Sequence, residues 1–210
     1  MPKHIPAAAP DLIAALPPDL CLDFANTRYW RGSDPATETL SDAHGLARWC
    51  GEHGLLGDAA AAATIRWWNQ HPLAAAAAFQ EAIDLREAIY RTLHALSEQR
   101  APASEDFAHL ERAMAQAPAR TVVASEGAGF GWPIVRHLPP AATELLAPVL
   151  WSTADLLVGP RRARLRHCAN PLCLWLFVDE SKGGKRRWCS MAACGNRAKA
   201  RRHYLRHKNG

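Results

Sequence analysis

Apolar residues recur at helical spacing over much of the first 158 residues. The clearest stripe lies within residues 73–100 and predicts a long helix with one buried face. It consists of Ala82, Leu85, Ile89, Leu93 and Leu96. A second apolar face, formed by Phe79, Ile83 and Tyr90, indicates that this helix packs on two sides. Shorter helices are predicted over residues 41–54, 58–70, 104–114 and 141–158, with Ser41 or Asp42 as the N-cap of the first.

Alternating and β-branched runs predict two hairpins. Residues 120–125 and 131–138 are joined by a longer, glycine-bearing loop. Closer to the C-terminus, a β-prone run at 174–178 is followed by a polar turn, and residues 185–188 lead back from that turn. Residues 19–27 fit either a short strand or a first helical turn, because so few positions cannot distinguish the two periods.

The second predicted hairpin lies between two pairs of cysteines. Cys168 and Cys173 enclose four residues, fifteen residues follow, and Cys189 and Cys194 enclose four more. Two tight turns that each offer two thiolates suit the tetrahedral coordination of Zn²⁺. Because four sulfurs leave no open position for water, we expect one structural zinc ion and no zinc catalysis. Ser190 is a suitable N-cap for a helix that runs to about residue 207, with Cys194 in its first turn.

These elements predict an α+β fold in two parts. After a flexible lead-in over residues 1–18, which is rich in Ala and Pro, a mostly helical domain with a small β-hairpin occupies residues 19–158. Gly159 and Pro160 mark the boundary. Residues 159–210 are predicted to form a small treble-clef-like zinc-binding module, in which a β-hairpin and a C-terminal helix carry the four cysteines.

The N-terminus and the remaining cysteines indicate the compartment. Pro and Asp interrupt the first residues where a signal peptide needs an unbroken apolar stretch, and no run of about 18 uncharged apolar residues exists. We therefore expect a cytoplasmic protein that makes no membrane contact and keeps its thiols reduced. Cys21 and Cys50 lie among apolar residues and are interpreted as buried free thiols.

Charge divides the chain at the same boundary. From Gly159 onward there are fourteen Lys and Arg and only two acidic residues, whereas the first 158 residues carry eleven basic and eighteen acidic residues. Such asymmetry is typical of a module that faces nucleic acid, although a solvated basic tail is the alternative. The candidate nucleic-acid-binding residues are Lys182, Lys185, Arg186, Arg187, Arg197, Lys199, Arg201, Arg202 and Arg206.

Some cations close to the cysteines have a second candidate role. A zinc ion with four thiolates carries a net negative charge, which neighbouring arginines would neutralise. Arg166, Arg187 and Arg197 are the candidates. His167, next to Cys168, is a candidate hydrogen-bond partner of a thiolate.

One polar cluster in the first part of the chain is a candidate ligand pocket. It consists of Asp23, Asn26, Thr27 and Arg28. A capped turn or a buried hydrogen-bond network is the alternative explanation for the same residues. The sequence contains no recognisable nucleophile–base pair and no phosphate-binding loop, so we expect no enzymatic activity and assign no catalytic residue.

The segment Cys194-Gly195-Asn196-Arg197 resembles the signature of the CGNR zinc-finger family, together with Arg-Trp-Cys-Ser-Met at 187–191. The resemblance covers residues 165–206. It implies that the four cysteines are the zinc ligands and that the module binds DNA through its many cations. Asn196 and Arg197 complete the signature, and a structural role for the asparagine is as compatible with it as contact with nucleic acid.

The preceding region is similar, more loosely, to the ABATE domain that is commonly found upstream of such fingers. Residues 20–27, Leu-Cys-Leu-Asp-Phe-Ala-Asn-Thr, correspond to its Leu-Asp…Asn-Thr signature, and the similarity spans about residues 15–160. The combination of the two domains is described as a stress-induced transcription regulator. The resemblance implies neither a ligand nor an operator.

We therefore expect a zinc-containing, DNA-binding transcription regulator. Its N-terminal domain would bind a small molecule or mediate homo-oligomerisation. The alternatives are an RNA-binding protein and an adaptor whose zinc module docks onto an acidic protein. Competition between duplex DNA and structured RNA would distinguish RNA binding from DNA binding. Pull-down of one acidic protein, together with a failure to bind immobilised DNA, would favour the adaptor.

Overall fold

One helix of 26 residues, α4 (Pro72–Ser97), contacts five other helices and two strands and organises the core. Pro72 occupies its first position, where the missing N–H costs no hydrogen bond. The predicted stripe is confirmed, since four of its five residues are at most 1% exposed. The second face is also covered, because Tyr90 is buried and Phe79 and Ile83 pack against the core.

The structure, a computed structural model, describes residues 11–14, 16–127 and 129–208, and for Glu126, Arg202, His203 and Arg206 it describes the backbone alone. Within this part, seven further helices accompany α4. They are α1 (Leu20–Ala25), α2 (Ala43–Glu52), α3 (Asp58–Gln70), α5 (Ser104–Gln116), α6 (Ala142–Leu145), α7 (Ala147–Val158) and α8 (Asn196–Lys208). None of these described helices is long and apolar enough to cross a membrane.

Seven short strands complete the described part of the fold, and all of their pairings are antiparallel. They are β1 (Asp11–Ile13), β2 (Arg28–Tyr29), β3 (Thr37–Glu38), β4 (Ala124–Glu126), β5 (Gly129–Ile134), β6 (Leu165–His167) and β7 (Leu176–Val178). They form one three-stranded sheet in the order β1–β5–β4 and two two-stranded ribbons, β2–β3 and β6–β7.

Most helices of this part begin close to the predicted residues. The Asp42 carboxylate accepts a hydrogen bond of 2.7 Å from the Gly45 amide and starts α2. Helices α3 and α5 begin at the predicted residues. The helix predicted over residues 141–158 is instead divided into α6 and α7. Pro148, near the start of α7, has no N–H to continue the preceding helix, so a new helix begins there.

The three-stranded sheet contains the predicted hairpin, β4–β5, and one strand that was not predicted. A flexible lead-in was expected over residues 1–18, but residues 11–13 form strand β1, so the expectation is wrong there. Residues 1–10 lie outside the described part of the chain. Ile13 is buried against Ile134 and Trp151, which anchors β1 to β5 and α7. A three-residue strand is too short to show a period of two.

The hairpin of the zinc module differs from the predicted one. Strand β7 pairs with β6, Arg166 opposite Phe177, and not with residues 185–188. The first cysteine pair therefore lies in the loop of the hairpin, and the order is strand, first cysteine turn, strand, second cysteine turn, helix. Residues 185–188 run beside the first turn instead, where the Arg187 carbonyl accepts a hydrogen bond of 2.9 Å from the Ala169 amide.

The zinc module shares the main hydrophobic core with the helical part. Leu165, Leu176 and Val178 are at most 4% exposed and belong to the same apolar cluster as the buried residues of α1 and α4. Both strands of the β6–β7 ribbon contact α4 directly. The two predicted parts are therefore packed together as one body.

Candidate metal centre and nucleic-acid interface

Four cysteine sulfurs meet between the β6–β7 ribbon and α8. The Sγ atoms of Cys168, Cys173, Cys189 and Cys194 all lie within 4.8 Å of one another, and those of Cys173 and Cys189 are 3.7 Å apart. Four sulfurs held about 2.3 Å from Zn²⁺ in a tetrahedron would be about 3.8 Å apart. All four are free thiols, as predicted. The centre therefore fits one structural zinc ion.

Backbone hydrogen bonds set the conformation of the first cysteine turn. The Cys168 amide donates to the Trp175 carbonyl at 2.8 Å and closes the loop between β6 and β7. The Cys173 amide donates to the Asn170 carbonyl at 2.9 Å, which forms the tight turn between the two ligands. Both sulfurs are thus placed by local backbone geometry, which is why the cysteine spacing predicts them.

The second cysteine turn leads into α8 through one π-helical turn, Met191–Gly195. The Ser190 hydroxyl accepts a hydrogen bond of 3.4 Å from the Ala193 amide, which confirms the predicted cap. A Cβ atom on Gly195 would lie 2.6 Å from the Met191 sulfur. A side chain at the glycine of the signature would therefore displace the exposed Met191 side chain from its position beside Cys194.

Burial and mutual repulsion oppose ionisation of these thiols unless a metal is bound. Burial raises the pKa of Cys189 to about 12, and the neighbouring Cys168 adds to the effect. Burial also raises the pKa of Cys173. At Cys194 burial acts in the same direction, but hydrogen bonds, first that from Asn170, hold its pKa below the ordinary value. A zinc ion would supply the charge that keeps all four thiolates deprotonated.

The three arginines expected to neutralise the centre contact other groups in the described structure. Arg166 donates to two backbone carbonyls, and Arg187 and Arg197 lie over indole rings at 5.3 and 4.6 Å. Among the described side chains outside the four cysteines, it is Asn170 that donates to a sulfur, with Nδ2 3.5 Å from Cys194 Sγ. Sequence reasoning missed this contact, although an asparagine inside the first cysteine pair was the available signal.

Asp179 connects the hairpin to the second cysteine turn. Its buried carboxylate accepts hydrogen bonds from the Ser181 hydroxyl at 2.6 Å, the Ser181 amide at 3.0 Å and the Arg186 amide at 2.8 Å. These bonds, first the one from the Ser181 hydroxyl, lower the pKa of Asp179. The residues after β7 are thus fixed by an ionised side chain.

The loop after β2 holds the first cysteine turn against the helical part. The Gly32 amide donates to the Leu172 carbonyl at 3.2 Å. A Cβ atom at Gly32 would lie 1.8 Å from the Pro171 carbonyl oxygen, so only glycine allows this approach. Next to it, the Arg197 guanidinium lies over the Trp30 ring, and the signature arginine therefore links α8 to the body of the protein.

A basic groove lies directly beside the zinc centre and is named here the α8 groove. It has a volume of about 490 Å³. Its walls are Ala169, Asn170, Pro171, Arg187, Trp188, Cys194, Arg197, Ala198, Arg201 and Leu205. Three predicted nucleic-acid-binding residues, Arg187, Arg197 and Arg201, are therefore brought together at one concave surface.

The other predicted nucleic-acid-binding residues are distributed around the module. Lys182, Lys185 and Lys199 are exposed. Arg186 is also exposed, but its guanidinium donates to the backbone carbonyls of the second cysteine turn and lies 4.4 Å from the Phe177 ring. Arg202 and Arg206 are also predicted to contact nucleic acid, but their own side chains lie outside the described structure.

The four predicted pocket residues do not surround one pocket. Asn26 and Thr27 are buried and form hydrogen bonds within the fold, which agrees with the alternative given above. Arg28 is exposed and lies 3.9 Å from Glu87. Asp23 and Asn26 do line a small cavity of about 200 Å³ between α1 and β7. Partial burial there raises the pKa of Asp23.

The fold and the four-cysteine centre define a zinc-finger protein in which a treble-clef-like module is packed on a mostly helical domain. The profile of the CGNR zinc finger matches residues 164–207. The profile of the ABATE family, described as "Putative stress-induced transcription regulator", matches residues 18–160, more than half of the chain. The protein belongs to the ABATE family and carries a CGNR zinc finger. No curated protein matches the chain.

Proposed function

We propose that the protein is a DNA-binding transcription regulator that contacts DNA phosphates through the α8 groove. The observation that supports this most strongly is the convergence of Arg187, Arg197 and Arg201 on one concave surface beside the zinc centre. Guanidinium groups bind phosphate oxygens through pairs of parallel hydrogen bonds. The description of the family as a transcription regulator agrees with this role.

The positive charge of the module is not neutralised internally. Its two acidic residues are both engaged, because Asp179 is buried in hydrogen bonds and Glu180 pairs with Arg161 at 2.9 Å. In the described part of the chain, no carboxylate forms an ion pair with Arg187, Arg197 or Arg201. A polyanion would therefore find these guanidinium groups available.

In this proposal the helical domain supplies the regulation and the zinc ion has no catalytic role. A cavity of about 340 Å³ between α2, α3 and α4 is lined by polar groups, among them His44 and Asn69, and by apolar ones, among them Phe79. This cavity supports the interpretation of the helical domain as a sensor of a small molecule. Four thiolate ligands leave zinc no position for a substrate or a reactive water.

The test is the affinity for random duplex DNA as a function of salt, measured by fluorescence anisotropy. If six phosphates are neutralised, log K falls with log salt with a slope of about −5. The double variant Arg187→Ala/Arg201→Ala should reduce the slope by about 2. The matched control is Arg48→Ala/Arg66→Ala, which removes two exposed arginines from the helical domain. This control should keep the wild-type slope.

Two results would contradict the proposal. One is a DNA affinity that stays constant between low and moderate salt. The other is an equal loss of affinity in the groove variant and in the control, which would show that binding depends on the net charge of the protein and not on the α8 groove. Displacement of the duplex by structured RNA at much lower concentration than by DNA would assign the groove to RNA instead.

A further inference from the structure

We propose that His94, Glu98 and His167 form a second metal site, specific for a divalent transition-metal ion, at the joint between α4 and β6. One potential ligand atom from each of these residues lies within 4.8 Å of the other two. None of them belongs to the four-cysteine centre. The proposal goes beyond DNA binding and does not depend on it.

The two ligands on α4 have a suitable relative position. His94 and Glu98 are four residues apart and lie on the same side of the helix end. Nδ1 of His94 and Oε2 of Glu98 are 3.6 Å apart, which is too long for a hydrogen bond. Two ligands of an ion held at about 2.1 Å are about 3.0–3.4 Å apart, so a small side-chain movement would complete the pair.

The third ligand is held in one tautomer by Ser97. The Ser97 hydroxyl donates to the His94 carbonyl at 2.7 Å and lies 2.9 Å from Nδ1 of His167. Because a hydroxyl has one proton, the bond to His167 must be donated by Nδ1–H of the imidazole. Nε2 of the neutral imidazole then keeps its lone pair. Metal-binding histidines are commonly oriented in this way, by donating the other ring N–H to an oxygen.

The partly buried ring of His94 makes aromatic contacts and, among the described residues, no hydrogen bond through Nε2. Its Nε2 is buried and has no hydrogen-bond partner among the described residues. The ring is instead close to other aromatic groups, with centroids 4.8 Å from that of His167 and 5.5 Å from that of Tyr90. Of the two ring nitrogens, Nδ1 faces Oε2 of Glu98 at 3.6 Å, so it is the one that a shared metal ion would bind, and Nε2 would keep its proton.

The chemistry of the three ligands limits the ion. Imidazole and carboxylate together suit Zn²⁺, Co²⁺ and Ni²⁺, and three protein ligands leave further positions for water. Glu98 is on the surface, so the ion can reach the site from solvent. The carboxylate also accepts two hydrogen bonds from Arg100, one of 3.0 Å from Nε and one from Nη2. Both go to Oε2, so they keep the carboxylate ionised and leave Oε1 for the metal.

An ion at this site would connect the two regions of the protein. His94 and Glu98 lie in the region that matches the ABATE family, and His167 lies in the region that matches the zinc finger. An ion that binds only when the zinc module is docked on α4 would stabilise the docked arrangement by mass action. The concentration of the metal would then set how firmly the zinc module is held on α4.

The experiment uses the full-length protein with one zinc ion per chain, titrated with Co²⁺. We expect one Co²⁺ to bind while the zinc content stays at one, with weak visible absorption and without the strong near-ultraviolet band of cobalt–thiolate bonds. The same Co²⁺ should raise the melting temperature. Glu98→Gln and His94→Gln should each weaken Co²⁺ binding at least tenfold, and Ser97→Ala, which frees the His167 ring, by about 10–100-fold.

The matched control is Glu81→Gln, which neutralises another exposed glutamate of α4. It should bind Co²⁺ like the wild type. Retention of one zinc ion and an unchanged circular dichroism spectrum show that each variant is folded. The proposal is overturned if no Co²⁺ binds beyond the zinc centre, or if all three site variants bind it with the wild-type affinity.

Discussion

Asn26 and Leu176 exchange two hydrogen bonds across the joint between α1 and β7. Nδ2 of Asn26 donates to the Leu176 carbonyl at 2.9 Å, and the Leu176 amide donates to Oδ1 of Asn26 at 3.0 Å. Asn26 is only 3% exposed, so water does not compete for these bonds. The side-chain amide thus takes the place of a neighbouring strand for β7 and fixes the zinc module on the helical domain.

Replacing Asn26 by alanine is expected to lower the free energy of unfolding by about 2–4 kcal/mol. The variant leaves the amide and the carbonyl of Leu176 buried without partners, and each such group costs about 1–3 kcal/mol. Urea titration measures the effect. Asn69→Ala, at an exposed asparagine, is the control and should change stability by less than about 0.5 kcal/mol. Equal stability of the two variants would contradict the role of Asn26 in docking.

Replacing Gly32 by alanine is expected to separate the first cysteine turn from the loop after β2. The new methyl group would lie 1.8 Å from the Pro171 carbonyl oxygen, which is backbone and cannot move aside cheaply. The melting temperature should fall, and the Trp30 ring should become more accessible to a fluorescence quencher.

The control for this substitution is Gly51→Ala in α2. A Cβ atom at Gly51 would meet nothing within 4 Å, and alanine favours a helix by about 0.5–1 kcal/mol over glycine. The control should therefore melt at a slightly higher temperature than the wild type. A Gly32→Ala variant that melts like the wild type would show that the loop can withdraw at no cost.

Zinc removal is expected to destabilise the whole protein and not only the module. The β6–β7 ribbon contributes Leu165, Leu176 and Val178 to the main core, so its unfolding exposes apolar surface on α1 and α4 as well. Calorimetry with a strong chelator should show one transition at a lower temperature.

Two cysteine variants test the same coupling without a chelator. Cys173→Ser should lose the zinc ion and melt like the chelated protein. Cys50→Ser, at a buried thiol outside the centre, should keep one zinc ion per chain. A new low-temperature transition with an unchanged main transition would mean that the module unfolds independently.

The parts of this structure that sequence reasoning predicts are those with local causes. The buried stripe of α4 follows from a spacing of three and four residues, and the Asp42 cap from a carboxylate beside the first turn. The zinc ligands are likewise local, because each pair of cysteines lies in one tight turn. The positions of most helices, the metal and the ligand set were therefore predictable.

The parts that were missed depend on distant residues. Asn26 binds a strand 150 residues later, and Gly32 is needed only because Pro171 approaches it. Strand β1 finds its partner β5 more than a hundred residues along the chain, and its three residues show no period. The docking of the zinc module on α4, which makes one body of two predicted parts, has no local signal at all.

Acid is expected to weaken the buried arginine network of α4. Arg86 is 1% exposed and donates to both carboxylate oxygens of Glu38 at 2.6 Å. Burial alone would raise the pKa of Glu38, but the hydrogen bonds from Arg86 lower it. Since the pKa is lower in the folded state, the stabilisation is complete above about pH 4.3 and is lost as the pH falls further.

The variant Arg86→Met tests this network by urea titration at several pH values. The side chain of Glu38 is 38% exposed, so water can solvate the carboxylate that the variant leaves behind. The variant should therefore be less stable than the wild type at pH 7 by about 1.5–3 kcal/mol, the contribution of hydrogen bonds to a charged group. The difference should shrink as the pH falls below about 4.3 and Glu38 becomes protonated in the wild type. The control Arg48→Met, at an exposed arginine, should show a small difference that does not change with pH. If the difference in stability between Arg86→Met and the wild type did not change with pH, the Arg86–Glu38 pair would not be the source of the acid sensitivity.

Arg186 is expected to support the zinc centre more than it supports DNA binding. Its Nε donates to the Trp188 carbonyl at 2.9 Å, its guanidinium also donates to the Cys189 carbonyl, and it lies over Phe177. Removing a group that orients a metal ligand typically weakens metal binding by at least tenfold. Arg186→Met should therefore release zinc to a chromogenic chelator about tenfold faster than the wild type does. The neighbouring Lys185 is exposed. Lys185→Met removes the same charge and should release zinc at the wild-type rate, while each variant lowers the salt slope of DNA binding by at most about 1. Equal rates of zinc release from the two variants would contradict this role and leave Arg186 as a nucleic-acid-binding residue only.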